Sequence, residues 1–236
     1  MEARNIAHPL DRPVWSALTT RLAPLAIRAE HEAGAAVRLD PDIGVFAAAA
    51  DVSADSRAAL DDLCRRYPGA GLVEPEGTPI AAVLPDLPAV SRASCVQMTA
   101  AALTAGEPGD LDVLTLSEAD AEEMLALATL TRPGPFRKGT LRLGGFVGVR
   151  RECRLIAMAG ERMKVAGFSE LSGVCTHPDF RGQGLAGALS RIVVARILGR
   201  GEQAFLHAYA DHAATIAFYE GLGFSVRARM TYTVLP

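Results

Sequence analysis

The apolar positions divide the chain into two stretches of different clarity. In the first hundred residues, Trp15, Leu18, Leu22 and Ala26 recur at helical spacing, with Pro24 placed to end or kink that helix. Residues 36–39 and 44–50 read as strands separated by Asp40, Pro41 and Asp42. Ser53 suits the N-cap of a helix through about Tyr67 that buries Leu60, Leu63 and Cys64, and Pro68-Gly69 stops it. Short strands are predicted over 71–73 and 95–98, on either side of a proline-rich stretch over 75–88.

Residues 104–110 have the composition of a linker, and beyond them the periodicity sharpens. A strand over 112–116 leads into Ser117 and Asp120, the spacing of a capping box, and a helix through about Leu130 that Arg132, Pro133, Gly134 and Pro135 break. Strands follow over 145–150, 155–160, 162–166 and 168–176. The turns around Glu152 and at Gly160-Glu161 are short, so these strands should be antiparallel neighbours. A helix over 184–198, a strand over 205–209, a helix over 213–222 and a strand over 225–234 complete the pattern, which one sheet with helices on its faces would satisfy.

Composition narrows the function classes. Half of the 236 residues are apolar, and 24 Lys and Arg against 27 Asp and Glu leave a formal charge of -3 with no concentrated basic face, which argues against a nucleic-acid binder. No apolar run is long enough to cross a membrane and the first residues lack an apolar leader segment, so a cytoplasmic protein without membrane association is expected. Cys64, Cys95, Cys153 and Cys175 show neither CxxC nor Cys/His ligand spacing, so buried thiols and no metal are expected.

The chemistry concentrates in one loop. A strand running into Arg181-Gly182-Gln183-Gly184-Leu185-Ala186 and then a helix gathers unpaired backbone N–H groups at the positive end of a helix dipole, an anion site. Gly182 and Gly184 permit a sharp turn and close approach of a ligand, with Ala186 and Gly187 keeping the next turn small. No lysine follows, which excludes a P-loop, and the preceding run of hairpins excludes a dinucleotide fingerprint.

Arg181-x-x-Gly184-x-Ala186 resembles the [Arg/Gln]-x-x-Gly-x-[Gly/Ala] motif of the GNAT N-acetyltransferase superfamily. The segment Tyr219-Glu220-Gly221-Leu222-Gly223-Phe224 resembles that superfamily's Tyr-Glu-x-Leu-Gly-Phe signature at the expected distance. The overall character is similar to the branch of glycine N-acyltransferase C-terminal domains. The resemblance covers about residues 110–236 and implies a mixed α/β (α+β) fold with a mostly antiparallel twisted sheet flanked by helices. Residues 1–105 would form a second α/β domain, reminiscent of a degenerate copy without the glycine loop, that shapes the acceptor pocket or supports the sheet; residues 132–136 and 75–88 would wall that pocket.

By the same resemblance, backbone groups of Val174, Cys175 and Thr176 would hold the pantetheine arm of acetyl-CoA and polarise its thioester, and residues 181–187 its pyrophosphate. Tyr219 would serve as general acid or hydrogen-bond the sulfur, and Glu170 would be the catalytic base, with Glu161 at a hairpin turn as an alternative. His212 stands where the superfamily often has an asparagine near the acyl end, and could contact the cofactor or act as base. Cys175 is not expected to be a nucleophile, and Phe218 and Trp15 are expected in the core. The implied activity is transfer of an acetyl or short acyl group to a primary amine of a small molecule or peptide N-terminus, with a homodimer compatible. The alternative is a non-catalytic acyl-CoA-binding sensor or interaction module.

Overall fold

The computed structural model describes residues 8–31, 34–78, 89–106, 109 and 111–236. Residues 79–88 of the expected pocket wall, three residues of the expected linker, and the first seven residues lie outside them. In chain order the elements are α1 (Pro13–Thr19), β1 (Ala26–His31), β2 (Gly34–Leu39), β3 (Ala47–Ala49), α2 (Ala54–Arg66), β4 (Gly71–Pro75), β5 (Ser91–Ala100), β6 (Val113–Leu116), α3 (Ala121–Thr131), β7 (Phe146–Arg151), β8 (Arg154–Val165), β9 (Phe168–Thr176), α4 (Leu185–Gly199), β10 (Gln203–Tyr209), α5 (Ala213–Gly221) and β11 (Ser225–Val234). Among the described residues, no helix is long and apolar enough to cross a membrane, and no group of His, Cys, Asp or Glu is placed to hold a metal ion.

These elements pack as two compact units, one of residues 1–39, 45–94 and 229–236, the other of 40–44 and 95–228. The division therefore falls inside β5 and β11, not at residues 104–110, because two long strands each contribute one end to either unit.

In the first unit β1, β2 and β3 form an antiparallel sheet, and β4 pairs antiparallel with the end of β11. Its core is Leu60, Leu63 and Cys64 of α2 against Ala36, Ala47, Ala49 and Leu72. Ser53 caps α2 as expected, its hydroxyl accepting from Ser56 N–H at 3.2 Å. Strand β1 was not anticipated. The Thr19 and Thr20 hydroxyls donate to the carbonyls of Trp15 and Ser16, and α1 ends there, before Pro24, so Ala26 begins a strand.

In the second unit the strand order is β11-β5-β10-β9-β8-β7-β6; β10 runs antiparallel to β5 and parallel to β9, and β9, β8, β7 and β6 are successively antiparallel. One face is closed by α4, whose Leu185, Leu189, Val193 and Ile197 pack on Ile156, Ala204 and Leu206. The capping box forms, with Asp120 accepting from the Ser117 N–H at 2.8 Å. The hairpin at Glu152 and Cys153 has both residues at positive φ (49° and 65°), the geometry of a two-residue type I′ turn.

The turn expected at Gly160-Glu161 does not exist, and β8 runs through it. Gly160 serves another purpose there: a Cβ would lie 2.4 Å from the Phe146 ring, which packs over it. Glu161, 4% exposed, is held mid-strand by Arg200 at 2.9 Å and Lys164 at 3.5 Å, so it is an anchored strand residue and not a turn carboxylate.

Strand β9 carries a bulge. Ser172 pairs with Gly160 and Cys175 with Met158, so three steps on β9 oppose two on β8. Gly173 takes up the extra residue at φ 64°, where a Cβ would also meet Phe146 at 2.8 Å. Gly173→Ala is therefore expected to cost about 2 kcal/mol or more, from left-handed backbone strain plus overlap. Chemical denaturation checks this, and an unchanged midpoint would show that the bulge has no such requirement.

Candidate functional site

The site begins where two strands part. β9 and β10 pair in parallel only over Phe168–Gln203, Ser169–Ala204 and Glu170–Phe205. Beyond that point β10 stays with β5 as far as Tyr209, while β9 stays with β8 as far as Thr176. Past Glu170 the edge of β9 away from β8 thus has no strand beside it among the described residues, and the bulge at Gly173 falls within that stretch.

A 3-10 turn at Pro178–Phe180 and the glycine loop then carry the chain into α4. Gly182 and Gly184 both have φ 76°, the left-handed region where glycine is favoured. Gly184 occupies the N-cap position, and no side chain caps the helix, so its first N–H groups lack the usual local partner.

These features meet in one cavity of about 530 Å³. Of the residues singled out from sequence, Val174, Cys175, Thr176, Arg181, Gly182, Gly184, Leu185, Ala186, Gly187 and Tyr219 line it. Gln183 and His212 do not. The His212 side chain is 59% exposed at the head of α5 and packs edge-on to Tyr209 at 5.4 Å. Sequence reasoning missed Thr131, Phe180, Ala214, Thr215 and Phe218, all on the wall; Pro133 was anticipated. Phe218 thus lines the cavity while packing, partly buried, against the core. Its signal was available, since Thr215, Phe218 and Tyr219 fall on one helical face at i, i+3 and i+4.

The polar groups of the cavity divide sharply. Thr176 Oγ1 is buried with no hydrogen-bond partner. Burial pushes Tyr219 up to about 12, so its hydroxyl is a proton carrier at neutral pH. Its ring is wedged between Phe218 at 5.0 Å and Phe224 at 5.8 Å. Burial likewise raises Cys175 to about 11, so it is a thiol and not a nucleophilic thiolate.

Glu170 lies outside the cavity lining and is 0% exposed. Arg162 donates to its two oxygens at 2.8 Å each, Met163 N–H at 3.2 Å, and His207 Nδ1 lies 2.8 Å from Oε1. Burial alone would raise its pKa, but the Arg162 charge and the hydrogen bonds from Arg162 and His207 outweigh that and hold it well below the usual carboxylate range. Four donors fill its lone pairs, so it has no room for an amine's proton. This saturated geometry favours a structural carboxylate over the catalytic base expected at Glu170.

Comparison with other proteins bears on the whole chain. Residues 146–234 match the family model of FR47-like proteins. No curated protein matches the sequence. Among solved structures, a protein from Novosphingobium aromaticivorans, assigned to the GNAT family as an acetyltransferase, is 42% identical, covering 97% of this chain and 98% of its own, with a TM-score of 0.82. A GCN5-related N-acetyltransferase from Kribbella flavida shares the fold at 21% identity over 99% of this chain and 97% of that one, with a TM-score of 0.67. So does a tandem GNAT protein from the clavulanic acid biosynthesis pathway, at 13% identity over 85% and 78%, with a TM-score of 0.55. An identity of 42% sustained along both full chains is more than a shared fold demands, and this chain belongs to the GNAT family of acetyltransferases.

Proposed function

We propose that this chain transfers an acetyl or short acyl group from acyl-CoA to a primary amine, on a small molecule or a peptide N-terminus, by direct attack within a ternary complex. The observation that carries this reading is one cavity that collects Thr176 and the edge of β9 past Glu170 with the uncapped start of α4, the Thr176 hydroxyl being buried and without a partner among the described residues. A buried hydroxyl without a partner costs stability unless a ligand satisfies it.

The cleft fits acetyl-CoA. Backbone N–H groups of residues 182–186 would bind the pyrophosphate, and the exposed edge of residues 174–176 the pantetheine amides. Bound there, the thioester supplies an activated acyl carbon, and a β9 N–H aimed at its carbonyl oxygen would stabilise the charge that develops during attack. Tyr219 stays protonated and can hydrogen-bond the departing sulfur. A phenol near 12 gives its proton to an alkylthiolate, whose acid sits near ~8.5, only at roughly 5 kcal/mol, so hydrogen-bond donation is its main contribution.

Among the described residues that line the cavity, none is a base at neutral pH. Deprotonation of the amine then falls to water, and the neutral amine is drawn from its own equilibrium.

The first unit repeats the same order of elements. Three antiparallel strands, β1 to β3, lead through α2 to β4, which begins in parallel register with a Phe46–Gly71 bridge, just as β7 to β9 lead through α4 to β10. A tandem GNAT protein sharing this fold supports reading the unit as a second copy. In it the helix start is already satisfied: Ser53 caps α2, and Asp51 accepts from the Ser53 N–H at 2.9 Å, placing a carboxylate where a phosphate would bind. We assign it no acyl-CoA site.

Thr176→Val should raise the stability of the free protein by about 1 kcal/mol while weakening acetyl-CoA binding about 3- to 10-fold; denaturation and calorimetry report the two arms. Calorimetry should also give one acetyl-CoA per chain, and two would restore a site to the first unit. Thiol release from acetyl-CoA across a panel of amines tests turnover, where a non-catalytic acyl-CoA-binding module would bind without release. Tyr219→Phe should lower kcat about 10- to 100-fold. With an alkylamine acceptor, whose pKa lies at about 10, the rate at low substrate should climb about tenfold per pH unit from 6 to 9, following the amine. A plateau below pH 8 would reveal a base on the protein.

A further inference from the structure

The carboxylate of Glu170 is one link of a longer polar chain. Strands β11, β5, β10, β9 and β8 are consecutive neighbours, and each contributes one side chain: Arg227, Gln97, His207, Glu170 and Arg162. Arg227 Nη1 donates to Gln97 Oε1 at 2.9 Å, Gln97 Nε2 lies 3.1 Å from His207 Nε2, and His207 Nδ1 lies 2.8 Å from Glu170 Oε1. The paired bonds from Arg162 close the far end.

Donor and acceptor roles run one way along it. Arginine has only donors, so Gln97 must turn its carbonyl toward Arg227 and its amide N–H toward His207. His207 Nε2 must then accept, which leaves the ring proton on Nδ1, pointing at Glu170. Through the Gln97 amide, Arg227 thus sets the tautomer of His207.

The chain also sits at the decisive place. Glu170–Phe205 is the last paired position of β9 and β10, and His207 is two residues further along β10 on the same face as Phe205. The His207–Glu170 bond therefore spans the first step at which the two strands have no backbone bond between them. Three residues later comes the bulge at Gly173.

We propose that Glu170 is a positioning residue, and that the strap from Arg227 through Gln97, His207 and Glu170 to Arg162 fixes where the strands part and hence where residues 174–176 present their backbone to the acyl end. This rests on the acetyltransferase reading above for its effect on turnover, but its geometry can be read without turnover.

The first test uses the unaltered protein. Imidazole 15N resonances at pH 7.5 should show His207 neutral, protonated on Nδ1 and bare on Nε2. A ring protonated on Nε2, or on both nitrogens, overturns the strap. The second is a double-mutant cycle on acetyl-CoA affinity with Gln97→Met and Glu170→Gln, side chains that are joined through His207, in variants whose circular dichroism matches the parent. Each should weaken binding about 3- to 10-fold, and the pair should do less damage than the product of the two; simple multiplication overturns the proposal. Should Glu170→Gln fail to fold, Gln97→Met with His207→Gln serves as the pair, under the same criteria. The pH–rate slope should be the same with Glu170→Gln as without it, and loss of its acid limb would return Glu170 to the role of base. A chain that binds acetyl-CoA and meets the first two criteria, yet acetylates nothing, would refute the enzyme reading and leave the strap standing.

Discussion

Everything at the cleft depends on one strand leaving its neighbour. A parallel pair that stops after three residues leaves a row of backbone donors and acceptors without partners, and such groups are costly inside a protein. The fold tolerates them because they border a cavity and not a packed core, and because the parting is anchored on both sides. Behind it, β8 holds β9 through a bulge that only glycine fits easily; across it, Glu170 and His207 replace the missing backbone bonds with side-chain ones.

That arrangement explains why an acidic residue on β9 is so deeply buried. A carboxylate removed from water is stable only when its lone pairs are filled and its charge matched, and Arg162, His207 and the Met163 N–H do both. The same saturation disfavours it as a base. Burial acts in the same sense on Tyr219 and Cys175, but with no counter-charge to outweigh it both are pushed up and stay protonated.

Much of this was legible in the sequence. Glycines 182 and 184 before an apolar helix, and the tyrosine segment thirty-odd residues later, located two walls of one cavity, because backbone geometry there is dictated by residue type. Strand periodicity located β9, and Ser53 and Ser117 located two helix starts. What was not legible was anything set by partners distant in sequence. Gly160 looked like a turn until Phe146 was seen to need its space. Glu170 looked like a base because nothing in its own segment shows Arg162 on the next strand or His207 37 residues away. Phe218 looked like core because a helix face is visible in sequence while the emptiness beside it is not. The likeness to glycine N-acyltransferase domains rested on general character, and no feature of the fold carries it.

The two helix starts that follow the two sets of hairpins have been finished differently. Asp51 and Ser53 complete α2 from within the chain, so its order owes nothing to the surroundings. The start of α4, with Gly184 at its N-cap, has no such side-chain cap. By linkage, a ligand at a hundred times its dissociation constant adds about 2.7 kcal/mol to the folded state that binds it. The chain therefore carries one helix start closed by its own side chains and one left open, so that a ligand bound at α4 would add order there that α2 already has from within.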